Sequence, residues 1–333
     1  MLLPLAFVSA CLVCTPLPGA LQPPQPEAPS RTDKPQLADP LTAFASLSPK
    51  VVTDSLQFAE GPLWLDGKLL VCDLSADAVY TIAPAADDPA TTAVESWGTP
   101  KEFRKPSGRA AGSAVDAQGR LLLATFTGTV TRTEKDATVS TIAQECVLDG
   151  KATPLARCND LAVHPDGTIF FTDFGKQKSP SKGLFCISPA GAVQRLDPDF
   201  AGANGVALSP DSKKLYVNDY GKNTVVEFDV GANGAVSNRR LLVDLSTEKS
   251  PGRCDGIKVH PDGRVFTTGP GGIWVISPQG KPLTRLDIDG GASNLCFGGK
   301  DGTTLFITAG NQVLSVDLAS APDPARQSPP EKK

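Results

Sequence analysis

A turn-and-strand unit recurs six times along this 333-residue chain, and no other feature restricts its fold as much. The copies read "LWLDGKLLVCD" from 63, "AVDAQGRLLLAT" from 114, "AVHPDGTIFFTD" from 162, "ALSPDSKKLYVND" from 207, "KVHPDGRVFTTG" from 258 and "FGGKDGTTLFIT" from 297. With Asp66, Gln118, Asp166, Asp211, Asp262 and Asp301 as anchors, the spacings are 52, 48, 45, 51 and 39 residues. Each copy holds a short apolar strand, a Pro-Asp-Gly type of turn and an alternating strand, and a second hairpin such as "GLFCISPAG" or "GIWVISPQG" follows. Four short strands per copy, with no helical pattern between copies, predict an all-β six-bladed β-propeller. A closed ring of blades also leaves no long strand edge exposed. A β-sandwich would give no regular repeat of this length.

Composition sets the frame around the repeat. The 31 Gly and 30 Pro suit many short strands joined by turns. Lys and Arg number 32 against 36 Asp and Glu, for a formal charge of -4, which offers nucleic acid no basic footprint. The first 20 residues, "MLLPLAFVSACLVCTPLPGA", are apolar, too short for a membrane-spanning helix, and read as an export signal. "VSAC" at 8–11 resembles a bacterial lipoprotein box, so a lipid-anchored form is the alternative to simple secretion. Residues 21–50 are rich in proline and poor in aromatics, and read as a disordered linker. The propeller is expected over 51–318, with a disordered tail over 319–333. Six cysteines lie beyond the presumed signal, widely dispersed and with no CxxC, and read as small buried side chains. The two histidines, His164 and His260, both sit in "HPDG" turns, which leaves no good candidate for a Ser-His-Asp triad.

Polar residues recur at a fixed offset from the turns. Seven residues before the anchor stand Asn159, Asn204, Asp255 and Asn294, while the second copy has Ala111 and the first has Glu60 at six. Five of the six positions thus carry a carboxylate or a carboxamide. In a propeller this point begins each blade's innermost strand, so residues distant in sequence would meet at one mouth of the central channel. A single Asn before a strand is an ordinary turn residue; a ring of Glu60, Asn159, Asn204 and Asp255 is better explained as a binding site. Two carboxylates packed together without a cation would repel and shift each other's pKa. Oxygen ligands alone suit a hard cation, Ca²⁺ first, with Mg²⁺ or Mn²⁺ as alternatives, and Zn²⁺ fits less well.

The stretches "FAEGPLW", "RCNDLAVHPDG", "GANGVALSPDSKKLYVND", "RCDGIKVHPDG" and "NLCFGGKDGTTLFIT" resemble the gluconolactonase, regucalcin (senescence marker protein) and luciferin-regenerating enzyme family. The resemblance spans roughly residues 50–318. It implies a six-bladed propeller with one divalent cation at the channel mouth, and hydrolysis of lactone rings. By motif, Glu60, Asn204 and Asp255 match the family's metal ligands, and Asp255 also matches its proposed catalytic base. Asn159 matches an asparagine that touches substrate or completes the metal shell, and Arg157 matches the substrate-binding arginine of the regucalcin branch. Ala111 on the second copy and "ARCNDL" on the third depart from the family's usual residues, which leaves the identity of the substrate open.

The function expected from the sequence is an exported, metal-dependent lactonase acting on a small sugar lactone, with the cation as Lewis acid and Asp255 as base. A monomer without transmembrane segment or nucleic-acid partner is expected. Two other functions remain open at the level of sequence. One is hydrolysis of another ester or a phosphotriester on the same cage. The other is a non-catalytic, calcium-stabilised propeller that binds a ligand.

Overall fold

The computed structural model describes residues 44–85, 96–176, 179–299 and 301–318. The export signal expected over 1–20, residues 21–43 of the expected linker and the whole of the expected tail over 319–333 lie outside the described residues.

Six four-stranded antiparallel sheets form the blades of a ring, as the repeat predicts. The innermost strands, in chain order, are Ala59–Leu65, Ala110–Val115, Cys158–Val163, Ala203–Leu208, Ile257–Val259 and Asn294–Gly298. Each pairs with the strand after its turn; Leu161, for example, faces Phe171, and Ile257 faces Thr267. Apart from one 3-10 turn at Ala232–Gly234, the elements over these residues are strands. Among the described residues no helix is long and apolar enough to cross a membrane.

The blades pack through six apolar clusters, one between each pair of neighbours. The second strand of every blade is therefore buried on both faces, and its side chains alternate between two clusters. In blade 3, Ile169 and Phe171 pack towards blade 2, whereas Phe170 packs towards blade 4. In blade 1, Leu69 and Val71 join blade 6, while Leu70 and Cys72 join blade 2. Alternation within a continuous apolar run is what a strand sandwiched between two sheets requires.

Two elements lie outside the repeat. The strand Lys50–Thr53 forms the outer edge of the last blade by pairing with Gln312–Asp317, and so closes the ring with the first and last parts of the propeller. A hairpin of Glu145–Leu148 and Lys151–Pro154 is inserted between blades 2 and 3. Six cysteines are buried and unpaired, in keeping with the sequence expectation of small core side chains. Burial pushes the Cys254 and Cys296 thiols up to about 12, which keeps them protonated and poorly nucleophilic.

Candidate functional site

The ladders show which residues share a level of the channel. Leu161, Val206, Ile257 and Leu295 face equivalent residues of the second strand, namely Phe171, Val217, Thr267 and Ile307. Two positions earlier stand Glu60, Ala111, Asn159, Asn204, Asp255 and Ser293, one per blade. Glu60 is thus level with Asn159 and Asn204 although it lies nearer its turn, because the first turn is a residue shorter. Blade 6 departs from the offset. Ser293 takes the ring position, and Asn294 sits one level deeper beside Asp160, Gly205 and Gly256. The shared position shows locally, since the Leu161 N–H donates to Asp160 Oδ1 and the Leu295 N–H donates to Asn294 Oδ1, both at 2.9 Å. Four of the six ring positions, not five, carry an acid or an amide.

Close contact between inner strands holds this ring together. The Gly205 N–H donates to the Asp255 carbonyl at 2.7 Å, and the Gly256 N–H to the Ser293 carbonyl at 2.8 Å. A Cβ on Gly205 would lie 2.3 Å from the Asp255 carbonyl oxygen, and one on Gly112 2.3 Å from that of Asn159. Glycine at 112 and 205 is therefore a packing requirement. Ser293 donates through Oγ to the Ala59 carbonyl at 2.8 Å, across the seam between blades 6 and 1.

The segments that lead into the ring are latched by buried carboxylates at the end of the second strand. Asp73 accepts from the Gln57 and Phe58 N–H groups at 2.8 and 3.0 Å. Asp173 accepts from Ala156 and Arg157, both at 2.8 Å, and Asp219 from Ala201 and Gly202, both at 3.0 Å. Blade 5 uses a hydroxyl instead, with the Asp255 N–H donating to Thr268 Oγ1 at 2.7 Å.

Glu60, Asn159 and Asn204 are buried. Glu60 Oε2 accepts from the Gly61 N–H at 3.0 Å and from Asn294 Nδ2 at 3.2 Å. Burial pushes the Glu60 carboxyl up to about 7, against those two hydrogen bonds and with a further push from Asp160. Asp255 is raised well above the usual carboxylate range, first by burial and then by the charges of Glu60 and Asp160, with the Asn204 amide acting the other way. Asp255 thus neighbours the Asn204 amide, and the Glu60 charge reaches it. Two acceptor atoms among them, Asn204 Oδ1 and Asp255 Oδ1, are buried and accept no hydrogen bond. Asn159 holds the blade 3 position, and its side chain has no hydrogen-bond partner among the described residues. Arg157 lies on the rim outside the ring, its guanidinium over the Phe126 ring at 5.7 Å.

Sequence offsets missed four residues here. Asp160 and Lys258 form an ion pair inside the channel, with Nζ 3.4 Å from Oδ2, and Asp160 also accepts from the Val206 N–H at 3.4 Å. Asn218 lies behind the ring and donates to the Asp255 and Gly256 carbonyls at 2.8 and 3.1 Å. The Tyr220 phenol is raised by burial, with the charges of Asp255 and Glu60 adding to the effect, and the Arg253 guanidinium stands 5.9 Å over its ring. Each partner comes from another blade, so no count within one repeat would find them. The histidines are paired with Asp166 and Asp262 in their own turns, at 2.8 and 3.0 Å.

Fold and ring together define a six-bladed propeller with a buried acid-and-amide site at its channel mouth. The profile described as "SMP-30/Gluconolactonase/LRE-like region" matches residues 58–311, and the chain belongs to this family. It is 29% identical to a gluconolactonase of Zymomonas mobilis over 291 residues, covering 80% of each chain. It is 27% identical to a regucalcin of Danio rerio over 269 residues, covering 78% of this chain and 85% of that one. A solved gluconolactonase of Xanthomonas campestris aligns with a TM-score of 0.70 at 26% identity, over 89% of this chain and 98% of that one.

Proposed function

We propose that this protein is a divalent-metal-dependent lactonase. The observation that carries the proposal is an Asp255 that neighbours the Asn204 amide and feels the Glu60 charge, with two buried acceptor oxygens left without donors. Buried acceptors are normally satisfied, and a bare pair of this kind costs free energy unless something supplies positive charge. The donor set is oxygen only, which suits Ca²⁺ ahead of Mg²⁺ or Mn²⁺ and suits Zn²⁺ least. Glu60, Asn204 and Asp255 would hold the cation, and Asn159 would complete the shell or contact the substrate. Family membership and the named gluconolactonase relatives support lactone opening as the reaction.

When bound, the cation would polarise the lactone carbonyl and steady the oxyanion that forms on attack. Asp255 accepts the proton of the attacking water, a role that needs it ionised. Burial and the Glu60 charge oppose that ionisation, and a positive charge between the two carboxylates would relieve both. The strands that carry Asn204 and Asp255 are tied together, with the Gly205 N–H and Asn218 Nδ2 both donating to the Asp255 carbonyl, so their orphaned oxygens would serve one cation. Arg157, on the segment that leads into Asn159, would contact a substrate held over the ring.

A panel of sugar lactones, assayed after chelation and again with each divalent metal, tests this function. Turnover that appears only with metal is expected. No turnover with any metal, together with tight calcium binding by calorimetry, would make the propeller a binding module instead.

A further inference from the structure

Beside the ring, between the segments leading into blades 3 and 4, lies a cavity of about 380 Å³. Arg157, Lys176 and Lys182 line it with Phe174, Ser179 and Ala201. Three basic residues and a serine thus border one space, and among the described residues no carboxylate lines it. None of the three makes an ion pair among the described residues. The nearest buried acid, Asp173, is already occupied by the Ala156, Arg157 and Gly175 N–H groups and by Ser181 Oγ, all at 2.8 Å. In a chain with four more acids than bases, an acid-free cluster of three cations is a local departure from the charge balance.

The position ties this cavity to the ring. Arg157 precedes Asn159 by two residues and Ala201 precedes Asn204 by three, so the cavity opens just outside those two ring residues. Phe174 forms an apolar wall, its ring edge-on to Tyr220 at 5.5 Å, and the Asp255 charge in turn reaches the Tyr220 phenol. A substrate with its carbonyl over the ring would send its far substituent towards the three cations.

We propose that this cavity is an anion subsite, and that the substrate is a sugar lactone carrying a carboxylate or a phosphate away from the reacting carbonyl. This rests on the lactonase function proposed above. Arg157 would bind the anion as a planar fork, and Lys176 and Lys182 would act as point charges around it.

Three lactones with the same ring, differing only at C6, test the subsite: glucono-1,5-lactone, its 6-phosphate, and the corresponding lactone with a 6-carboxylate. The metal-loaded protein should prefer an anionic lactone to the neutral one in kcat/KM by about tenfold or more, the size of one charge-assisted hydrogen bond. Whether phosphate or carboxylate leads identifies the anion. In the Lys176→Ser/Lys182→Ser double variant the ratio of anionic to neutral kcat/KM should fall about tenfold, and in the wild type it should shrink as salt rises. Equal kcat/KM for all three lactones would overturn the subsite while leaving the lactonase intact. If no lactone is opened, the lactonase proposal fails, and calorimetry decides the subsite separately. Tighter binding of 6-phosphogluconate than of gluconate, lost in the double variant, supports it; equal binding overturns it.

Discussion

At the scale of single residues, the site is a problem in placing negative charge out of water. Glu60 and Asp255 are held by backbone ties, yet neither makes an ion pair among the described residues; Lys258, whose charge reaches Glu60, is paired with Asp160. Replacing Asp255 with Asn keeps an oxygen ligand and the volume while removing the charge and the proton acceptor. At saturating metal, Asp255→Asn should lower lactone turnover by more than about a hundredfold, because general-base assistance is worth about 10² to 10⁴ in rate. Calorimetry on the same variant should show calcium binding weakened but present, and full activity would leave Asp255 a ligand only. Glu60 gives a test without substrate. Its folded pKa of about 7 lies above the ordinary glutamate value of 4.5, so the folded, metal-free protein binds the proton more tightly than the unfolded chain. The sign follows: Glu60 supports stability below about 4.5 and loses that contribution as pH rises through about 7. Glu60→Gln should abolish the loss, so thermal melts of metal-free wild type and variant should diverge as pH climbs across that window. Parallel curves would place the Glu60 carboxyl in an ordinary environment. Glu60, Asn204 and Asp255 were legible in the sequence because each marks one position per repeat. Asp160, Lys258 and Tyr220 were not, because each is joined to the ring by a partner on another blade. Asn294 was assigned a level too high, since an offset counted from a turn is only as constant as the turn's length.

At the scale of elements, the inner strands are made to fit edge to edge, and the ring residues inherit their precision from that fit. Gly205 is the sharpest instance. Its neighbour across the blade boundary is the Asp255 carbonyl, which accepts the Gly205 N–H at 2.7 Å and leaves a Cβ only 2.3 Å. Gly205→Ala must therefore push the blade 5 inner strand away, at a cost of about 1–3 kcal/mol for overpacking. The same displacement moves Asp255 from Asn204, so the variant should lose calcium affinity as well as stability. A variant that melts earlier but binds calcium like the wild type would show that the ring tolerates movement of its strands. The hairpins of each blade were legible from turn chemistry and alternation, both local properties. The hairpin over 145–154 was not, because it belongs to no repeat and pairs only with itself. The strand Lys50–Thr53 was hidden for the opposite reason, as its partner lies more than 250 residues away.

At the scale of the whole molecule, a ring of blades is only as stable as its seam. Blades 1 to 5 are each made from one continuous stretch of chain, whereas blade 6 takes three strands from one end of the propeller and its outer strand from the other. Several contacts reinforce that join. Asn311 Nδ2 donates to the Asp54 carbonyl at 2.7 Å, and the Ala59 N–H donates to the Gly310 carbonyl at 2.7 Å. Val52 is buried between blades 6 and 1, and Phe44 packs edge-on against Phe266 at 5.7 Å in the cluster between blades 5 and 6. A chain beginning at Leu56 would lose both of these side chains and bare the edge of Gln312–Asp317. Each buried apolar side chain of this size contributes about 1.5–3 kcal/mol, so removing the two takes roughly 3–6 kcal/mol from a total of about 5–15. The shortened protein should melt earlier and less cooperatively, and light scattering should show association that grows with concentration through the exposed edge. The effect should also reach the site, because Asn294 of blade 6 donates to Glu60 of blade 1, and the two are held in register only while the seam is closed. Calcium affinity should therefore fall in the shortened chain even at temperatures where it remains folded. An unchanged melting point and unchanged calcium binding would mean that the inner strands alone, through contacts such as Ser293 to Ala59, are enough to close the ring.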